Sequence, residues 1–285
     1  LSRADLDRLM GTTRGAASLI VNDLVEEGLL FEGATGEAPR GRKPKFLYVD
    51  SRRRCVVAVD LRPTRTFVMV TDLLGDPIVG VSSLATPADP DAAIRAIAER
   101  VNQTLAAHTE LSRCDGIGVV VPGMVDKAGA QVVYSPRLDW HDVPFTERLS
   151  ALTRLPVFIE NSGRACALAQ LWSRSEPDAS HDLAYVSVSD GLGVGIVVRG
   201  EVLRGRHNVG GEFGHTPIDV DGPACACGAS GCLEAYVSNI ATLSRYFGRE
   251  ISPRKPLPTD VATFTMEDLI ARARGGDARA TSALQ

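Results

Sequence analysis

The chain has 285 residues, 44% of them hydrophobic, and a net charge of −4, which excludes a disordered polymer and a uniformly basic nucleic-acid binder. Six cysteines do not make a secreted disulfide framework in a chain of this length, and no apolar run approaches the ~20 residues that span a bilayer. With no visible signal peptide, these features predict a cytoplasmic protein of two or three domains and no membrane partner.

The first fifty residues predict a small DNA-binding module. Ser2 is a candidate N-cap for a first helix, which Gly11 ends. Thr13 is a candidate N-cap for a second helix, which Gly28 ends. Two helices joined by a short turn with glycine are typical of a helix-turn-helix. The residues of the second helix that we expect to face inward are Ala17, Ile20, Leu24 and Val25.

Two apolar segments, residues 29–31 and 46–49, flank a loop rich in glycine, proline and arginine, and predict a β-wing. Seven basic residues and one acidic residue lie from Arg40 to Arg54. In a winged helix, the second helix enters the major groove, and a basic wing loop can enter the minor groove. The residues predicted to contact DNA are Thr13, Arg14, Ser18, Arg40, Arg42 and Lys43. The alternative is a protein-binding helix pair with a solvated basic loop.

From residue 55 the pattern changes to β-strands. Runs rich in β-branched residues over 55–60, 66–72 and 78–84 precede an amphipathic helix over 90–108 and a buried strand over 116–121. This order is the core of a ribonuclease-H-like fold. A similar but less regular pattern follows, with strands over 157–160, 183–189, 195–199 and 201–203 and helices over 162–173 and 265–274. Two such units predict a two-lobed cleft that holds a small ligand. We predict domains over 1–50, 51–157 and 158–285.

One histidine and three cysteines predict a metal site. His215 precedes the run Cys225-Ala226-Cys227-Gly228-Ala229-Ser230-Gly231-Cys232, whose glycines let a tight loop fold three sulfurs around one point. Zn²⁺ accepts such ligands in tetrahedral geometry, and a full Cys₃His set leaves no position for a catalytic water. We therefore predict a structural zinc held by His215, Cys225, Cys227 and Cys232. The alternatives are a reduced thiol cluster and a disulfide between Cys225 and Cys232. Cys55, Cys114 and Cys166 are isolated in the sequence and predict ordinary thiols.

In this order, the segments resemble the ROK family (repressors, open reading frames and sugar kinases). The most specific parts are Glu212-Phe213-Gly214-His215 and the cysteine run with Leu233-Glu234 after it, supported by Gly116-Ile117-Gly118-Val119-Val120-Val121-Pro122-Gly123 and Glu160-Asn161. The resemblance implies an α/β, actin-like two-lobed body with a Cys₃His zinc, and a winged helix-turn-helix like that of the family's regulators. It also implies a sugar site formed by Gly123, Asn161, Ser162, Glu212, His215 and Glu234. For Glu212 and Glu234 the alternative is a pair of solvated surface carboxylates.

Two departures from the pattern of the family's kinases predict that catalysis is lost. The kinases have Glu-Asn-Asp, with the Asp as general base, where this chain has Glu160-Asn161-Ser162, and serine has no useful basicity near pH 7. Their first phosphate loop, Asp-x-Gly-Gly-Thr, is here Asp60-Leu61-Arg62-Pro63-Thr64, and Pro63 has no N–H to donate. A contact of Arg62 with phosphate is the alternative at that loop. The second glycine loop is retained as Asp190-Gly191-Leu192-Gly193-Val194-Gly195.

We therefore predict a sugar-responsive DNA-binding regulator, a repressor rather than an enzyme, that acts on operator DNA as a homo-oligomer (a dimer or a dimer of dimers). The alternatives are an active ATP-dependent sugar kinase with an attached DNA-binding domain and a regulator whose sugar site has decayed. The resemblance also leads us to expect that a helix before residue 1 and a strand and helix after residue 285 are missing.

Overall fold

A computed structural model describes residues 1–35, 45–108, 111, 113–173, 182–251 and 258–285. Its N-terminal part has two helices, α1 (Arg3–Met10) and α2 (Arg14–Glu26), and an antiparallel pair of strands, β1 (Leu30–Thr35) and β2 (Lys45–Val49). Ser2 and Asp5 form a capping box on α1, and the Thr13 hydroxyl accepts from the Ala16 N–H of α2. The predicted helix starts are thus confirmed.

The predicted inward face of α2 is wrong at one position. Ile20 is 42% exposed, whereas Val21, one residue along, is 2% exposed and packs inward with Ala17. Apolar residues occupy both positions and the neighbouring Leu19, so the period of 3.6 residues alone does not fix which of them faces the core.

A short 3-10 helix, Ser51–Arg53, links this part to the rest of the chain. Residues of this linker and Arg54 after it contact both the N-terminal part and the sheet that follows. The Leu73 N–H donates to the Ser51 carbonyl at 3.2 Å. Arg54 lies 3.6 Å from the carboxylate of Glu27, the C-cap residue of α2, and 3.4 Å from the carboxylate of Asp115. The N-terminal part is therefore tied by charge to the sheet that follows.

The largest sheet has five strands in the order β10-β6-β3-β4-β5. Its strands are β3 (Cys55–Asp60), β4 (Arg65–Thr71), β5 (Pro77–Ala85), β6 (Cys114–Val121) and β10 (Val157–Asn161). The first three are antiparallel neighbours, while β6 runs parallel to both β3 and β10. The helices α3 (Pro90–Ala107) and α4 (Phe145–Thr153) pack on this unit, and its core is one cluster of buried residues that includes Val57, Val119 and Ile159. Three strands, a helix and a parallel strand confirm the predicted core.

Parallel pairing brings the carboxyl ends of β3, β6 and β10 to one edge of the sheet. Asp60 is paired with Val120, and Asn161 with Val121. The loops that follow these strands therefore begin side by side, which is where open α/β sheets place their ligands. After β6 comes a small antiparallel sheet of β7 (Met124–Val125), β8 (Val132–Ser135) and β9 (Trp140–Val143), which the sequence patterns did not predict.

The second unit begins with α5 (Ser162–Ser173) and an antiparallel sheet of β11 (Leu183–Val188), β12 (Leu192–Val198) and β13 (Glu201–Val202). β12 begins three residues before the predicted start, so most of the second glycine loop is strand. A side chain at Gly195 would overlap the carbonyl of Gly163 on α5. Close packing of helix on strand thus requires glycine here, without any phosphate.

The chain then forms helices α6 (Glu234–Val237), α7 (Asn239–Phe247), α8 (Thr259–Ala262), α9 (Met266–Arg274) and α10 (Ala278–Leu284). Stacked rings of Tyr246 and Phe264, with centroids 5.2 Å apart, hold α7 against α9 and α10 together with Phe247. Thr265 is the N-cap of α9, so this helix begins one residue after its predicted start at 265. Among the described residues, no helix is long and apolar enough to cross a membrane.

Candidate functional site

Four side chains form a compact cluster of potential metal ligands. The ligand atoms of His215, Cys225, Cys227 and Cys232 all lie within 4.8 Å of one another. The Cys225 Sγ is 3.5 Å from His215 Nδ1, and the sulfurs of Cys227 and Cys232 are 3.7 Å apart. All six cysteines are free thiols, so the disulfide alternative is not found. One nitrogen and three sulfurs around one point can hold a metal ion in tetrahedral geometry.

Backbone hydrogen bonds shape the cysteine loop, residues 225–232. The Cys225 N–H donates to Ala229 O at 2.8 Å, and the Gly228 N–H donates back to Cys225 O at 3.1 Å. Gly228 has φ +99°, a conformation that favours glycine. Gly231 has φ +67°, and a side chain there would collide with the backbone of Asp219. The two glycines thus allow the turn that brings the sulfurs together, as the spacing predicted.

The environment of the cluster opposes free thiolates. Burial raises the pKa of the Cys225 thiol to about 12. A bound divalent cation reverses this preference, because a coordinating thiol is deprotonated outright. Burial of neutral thiols around an imidazole therefore fits a metal site, in which the ion's charge balances the sulfurs.

Two of the predicted sugar residues meet at the edge of the large sheet. The Asn161 amide Nδ2 donates to the Gly123 carbonyl at 2.9 Å, and its Oδ1 accepts from the Gly163 N–H at 2.9 Å. Asn161 therefore fixes the start of α5 and, with it, Ser162. A side chain at Gly123, where φ is +153°, would overlap Tyr134 and Ser135. The hydrogen bonds set the position of these groups before any ligand arrives.

Glu212 and His215 form a second pair, on the short helical turn before the cysteine loop. Glu212 Oε2 is 3.9 Å from His215 Nε2, the ring nitrogen opposite the one that faces Cys225. Burial raises the pKa of Glu212, helped by the charge of Glu234 and opposed by His215 and Arg164. Glu234 Oε2 accepts from the Leu192 N–H at 2.8 Å. Both carboxylates are half-buried, unlike solvated surface groups.

A cavity of about 530 Å³ lies on the Glu234 side of the site. Its walls come from Asp190, Glu234, the start of the cysteine loop and α7. This volume is within the usual range of small-molecule sites. Asn161, Gly123 and Glu212 are not part of its lining, so the cavity and the Asn161 pair are separate features.

The sequence patterns did not predict a buried network of charged and polar groups around Glu160, the residue before Asn161. Arg164 is 1% exposed, and its Nε donates to Glu160 at 2.8 Å. Its Nη1 donates to the carbonyl of Asn208, whose amide donates to Val125 O at 2.7 Å. Arg204 lies 2.6 Å from the other Glu160 oxygen. An arginine in the first turn of an otherwise apolar helix was the available signal.

The network keeps Glu160 ionised. Burial opposes the charge of Glu160, but the Arg164 hydrogen bond and charge, the Asn161 N–H and the charge of Arg204 outweigh it and hold the pKa below its ordinary value. Because Asn208 belongs to the loop before Glu212 and Val125 belongs to β7, the network fixes the Glu212 loop relative to the strand that carries Asn161.

Arg62, in the first loop, is paired with a carboxylate of its own loop. Its guanidinium contacts the Asp60 carboxylate at 2.6 and 2.8 Å and lies over the Phe67 ring, 4.9 Å from the centroid. The basic group therefore neutralises the very carboxylate that ends β3. Without a ligand, Arg62 therefore satisfies its charge within its own loop, whereas the sequence left a phosphate contact open.

The predicted DNA-contacting residues divide into two groups. Thr13 caps α2, and Arg14 follows it with a side chain that is 91% exposed and 3.5 Å from Asp7. Ser18 is half-buried rather than exposed, and its carbonyl accepts from Arg3 at 3.2 Å. Arg40, Arg42 and Lys43 lie outside the described residues.

Comparison with known proteins relates nearly the whole chain to one family. The profile of the ROK family matches residues 56–285. The xylose repressor of Bacillus subtilis (strain 168) is 30% identical over 290 residues, which cover 100% of this chain and 71% of that protein. The match to the xylose repressor of Caldicellulosiruptor bescii is 29% identical and covers 86% of this chain and 61% of that protein. The chain thus spans less than two thirds of the length of some of its relatives.

Solved structures agree with this relation. A ROK family transcriptional regulator, a homologue of the E. coli MLC protein, matches with a TM-score of 0.80 at 28% identity and covers 99% of this chain and 72% of that chain. A ROK family glucokinase from Streptomyces griseus, in complex with glucose and AMPPNP, matches with a TM-score of 0.63 at 26% identity and covers 80% and 74%. The body therefore has the actin-like α/β fold shared by these regulators and sugar kinases, as predicted.

Proposed function

Because the chain belongs to the ROK family, we propose that it is a sugar-responsive transcriptional regulator, acting as a repressor in the cytoplasm. Its domains in this proposal are a winged helix-turn-helix over 1–50, a first lobe over 51–157 and a second lobe over 158–285. The predicted start of the second lobe at 158 falls inside β10, which pairs with the first sheet, so in the structure the second unit begins at Ser162 instead. The proposal is supported by relatives named xylose repressors and by the similarity to a ROK regulator across 99% of the chain.

The observation that carries the proposal is the residue after Asn161. Ser162 begins α5 at the point where the family's kinases have the carboxylate that accepts the proton of the attacking hydroxyl. The two capped helices and paired strands of residues 1–49 precede a body that has this serine. A sugar-binding scaffold without a general base, joined to such a module, is suited to sensing rather than phosphorylation.

The alternative of an active sugar kinase has specific support in the glucokinase similarity. Two features oppose this alternative. Residue 162 is a serine, and in the first loop Arg62 forms an ion pair with Asp60 while Pro63 lacks an N–H. General-base catalysis alone is worth about 10²–10⁴-fold. We therefore propose that the body is catalytically inactive.

We propose that the ion at the four-ligand cluster is Zn²⁺. Zinc favours three thiolates and one imidazole in tetrahedral geometry, and the set leaves no ligand position open for a reacting water. His215 binds through Nδ1 in this assignment, which leaves Nε2 beside Glu212. The metal would thereby orient a sugar-contacting histidine.

We propose that the sugar site is formed by Gly123, Asn161, Ser162, Glu212, His215 and Glu234. Carboxylates accept strong hydrogen bonds from hydroxyls, and the amide and imidazole supply fixed partners. The competing idea is a site that has decayed with the loss of the acid at 162. Thermal-shift screening of the chain against D-xylose, D-glucose and amino sugars separates the two, since a uniformly flat response supports decay.

We propose that Thr13, Arg14 and Ser18 face the major groove and that Arg40, Arg42 and Lys43 of the wing reach the minor groove. A homodimer, or a dimer of dimers, would present two such modules to a pseudo-palindromic operator. Arg54 supplies a route for coupling, because it contacts both α2 and β6. A sugar that favours one lobe arrangement would then shift the population of module orientations.

Replacing Arg42 with alanine is expected to weaken operator binding, because a wing arginine contributes charge and shape readout in the groove. The salt dependence of binding should also fall, by about one in the slope of log K against log salt. Fluorescence anisotropy with a duplex that the chain selects from a random pool measures both. Arg148→Ala, which removes a surface arginine paired with Asp91 on the body, is the matched control. Equal affinity of Arg42→Ala and wild type would exclude the wing as a DNA contact and favour the protein-binding alternative.

A further inference from the structure

Arg137, in the turn between β8 and β9, is a largely buried arginine without a role in the proposed site. Its side chain is 17% exposed, and its Nη2 is 3.5 Å from Asp190 Oδ2 in the turn between β11 and β12. This is longer than the usual ~2.7–2.9 Å of a strong charged hydrogen bond. In the described part of the chain, the buried Arg137 Nε has no hydrogen-bond acceptor. The guanidinium thus contacts Asp190 while one of its donors, Nε, has no acceptor among the described residues.

The surroundings of Arg137 connect it to two of the proposed sugar residues. A methyl group on Gly191 would lie 2.8 Å from Glu234 Oε2 and 3.6 Å from Arg137 Nη1, so the carboxylate and the guanidinium converge on one point. On the other side, Ser135, two residues before Arg137, packs directly against Gly123. The turn that carries Arg137 therefore packs against Gly123 of the first unit through Ser135, while the Arg137 guanidinium lies against Asp190 and Gly191 of the second unit.

The chemistry of this pair matches a sugar hydroxyl. A hydroxyl accepts one hydrogen bond and donates another, so an arginine N–H and a carboxylate oxygen side by side satisfy both capacities. The charge of Arg137 is paired with the carboxylate of Asp190, and the Glu234 carboxylate lies close by at Gly191. A second anion, such as a phosphate or a uronic acid, would meet repulsion from both carboxylates, so a neutral sugar is favoured.

We propose that Arg137 is a specificity-determining residue of the effector site, donating to a hydroxyl oxygen of a neutral sugar whose hydroxyl proton Glu234 accepts. This inference rests on the proposed function, since it assigns a further contact in the same site. Binding replaces the long contact to Asp190 with a shorter one to the sugar. The residue that recognises the ligand is then also the one that spans the two units.

The test is titration calorimetry of the full chain with D-xylose and D-glucose. The Arg137→Gln variant is expected to bind the sugar that wild type binds about ten- to hundredfold more weakly, the usual loss for a hydrogen bond to a charged group. Asp190→Asn should bind at least as tightly as wild type, because it releases Arg137. Arg148→Gln, a change at a surface arginine of the same unit, should match wild type.

The outcomes separate this inference from the proposed function. If wild type binds no sugar, the sensor proposal and this inference both fail. If wild type binds and Arg137→Gln binds equally well, only the assignment of Arg137 is overturned. Equal losses in Arg137→Gln and Asp190→Asn, with lower melting temperatures for both, would make the pair a structural strut and contradict effector contact. Tighter wild-type binding of D-glucuronate or D-glucose 6-phosphate than of either neutral sugar, lost in Arg137→Gln, would overturn the neutral-sugar class.

Discussion

The Cys227→Ser variant is expected to lose its bound metal almost completely. Serine oxygen is a poor zinc ligand at neutral pH, and the remaining His215, Cys225 and Cys232 leave the tetrahedral set one ligand short. In small zinc domains a structural zinc supplies about 10–16 kcal/mol to folding. Because each kcal/mol of lost stability lowers the melting temperature by about 2–4 °C in a domain of 150–250 residues, loss of the metal should lower it by several degrees or more. Metal analysis of purified protein and a thermal melt measure the two effects.

The effect of this substitution should extend to the sugar site, because His215 belongs both to the cluster and to the pair with Glu212. Cys166→Ser is the matched control: Cys166 is a half-buried thiol outside the cluster, and its replacement should leave the metal content unchanged from wild type. Unchanged zinc content in Cys227→Ser would refute the ligand assignment.

The second large effect expected is the absence of sugar phosphorylation. With ATP, Mg²⁺ and a panel of hexoses, pentoses and amino sugars, a coupled assay should give no turnover above background, whereas typical kinases reach about 1–100 s⁻¹. Two independent lesions support this expectation. Ser162 cannot accept the proton, and the first loop has Arg62 paired with Asp60 and Pro63 in place of a glycine.

Reverting only one of these two departures to the kinase pattern should not restore phosphorylation. Ser162→Asp alone supplies a base but leaves Arg62 and Pro63 in the first loop, so it should stay inactive. The variant that also carries Arg62→Gly and Pro63→Gly is the one expected to gain activity. Turnover by wild type at a kinase-like rate would contradict the proposal, with the S. griseus glucokinase as the positive control.

Features set by neighbours in sequence could be predicted from the sequence. Ser2 and Thr13 were identified as helix caps because a capping side chain bonds to the backbone two or three residues on. The metal ligands follow the same logic: three come from one eight-residue loop whose glycines permit the turn. The resemblance to one family extended this local information to the two-lobed fold.

Features set by long-range packing were not predicted. The choice between Ile20 and Val21 depends on what packs against α2, and both are apolar. The early start of β12 depends on the fit of its glycines against α5, whereas in sequence those glycines resemble a loop. Arg137 meets Asp190, and Arg164 meets Asn208, only after the two units have folded together. Long-range arginine contacts of this kind leave no periodic pattern in the sequence.

The central claim is that one chain binds both operator DNA and a sugar, and that one ligand changes the affinity for the other. The most direct measurement is fluorescence anisotropy of a labelled duplex, selected by the chain from a random pool, at fixed salt with and without each sugar. The account predicts sequence-preferring binding whose affinity changes by about 5- to 150-fold with at least one sugar, the usual range of allosteric coupling. DNA affinity that ignores sequence, or that stays constant with every sugar that binds, would contradict it.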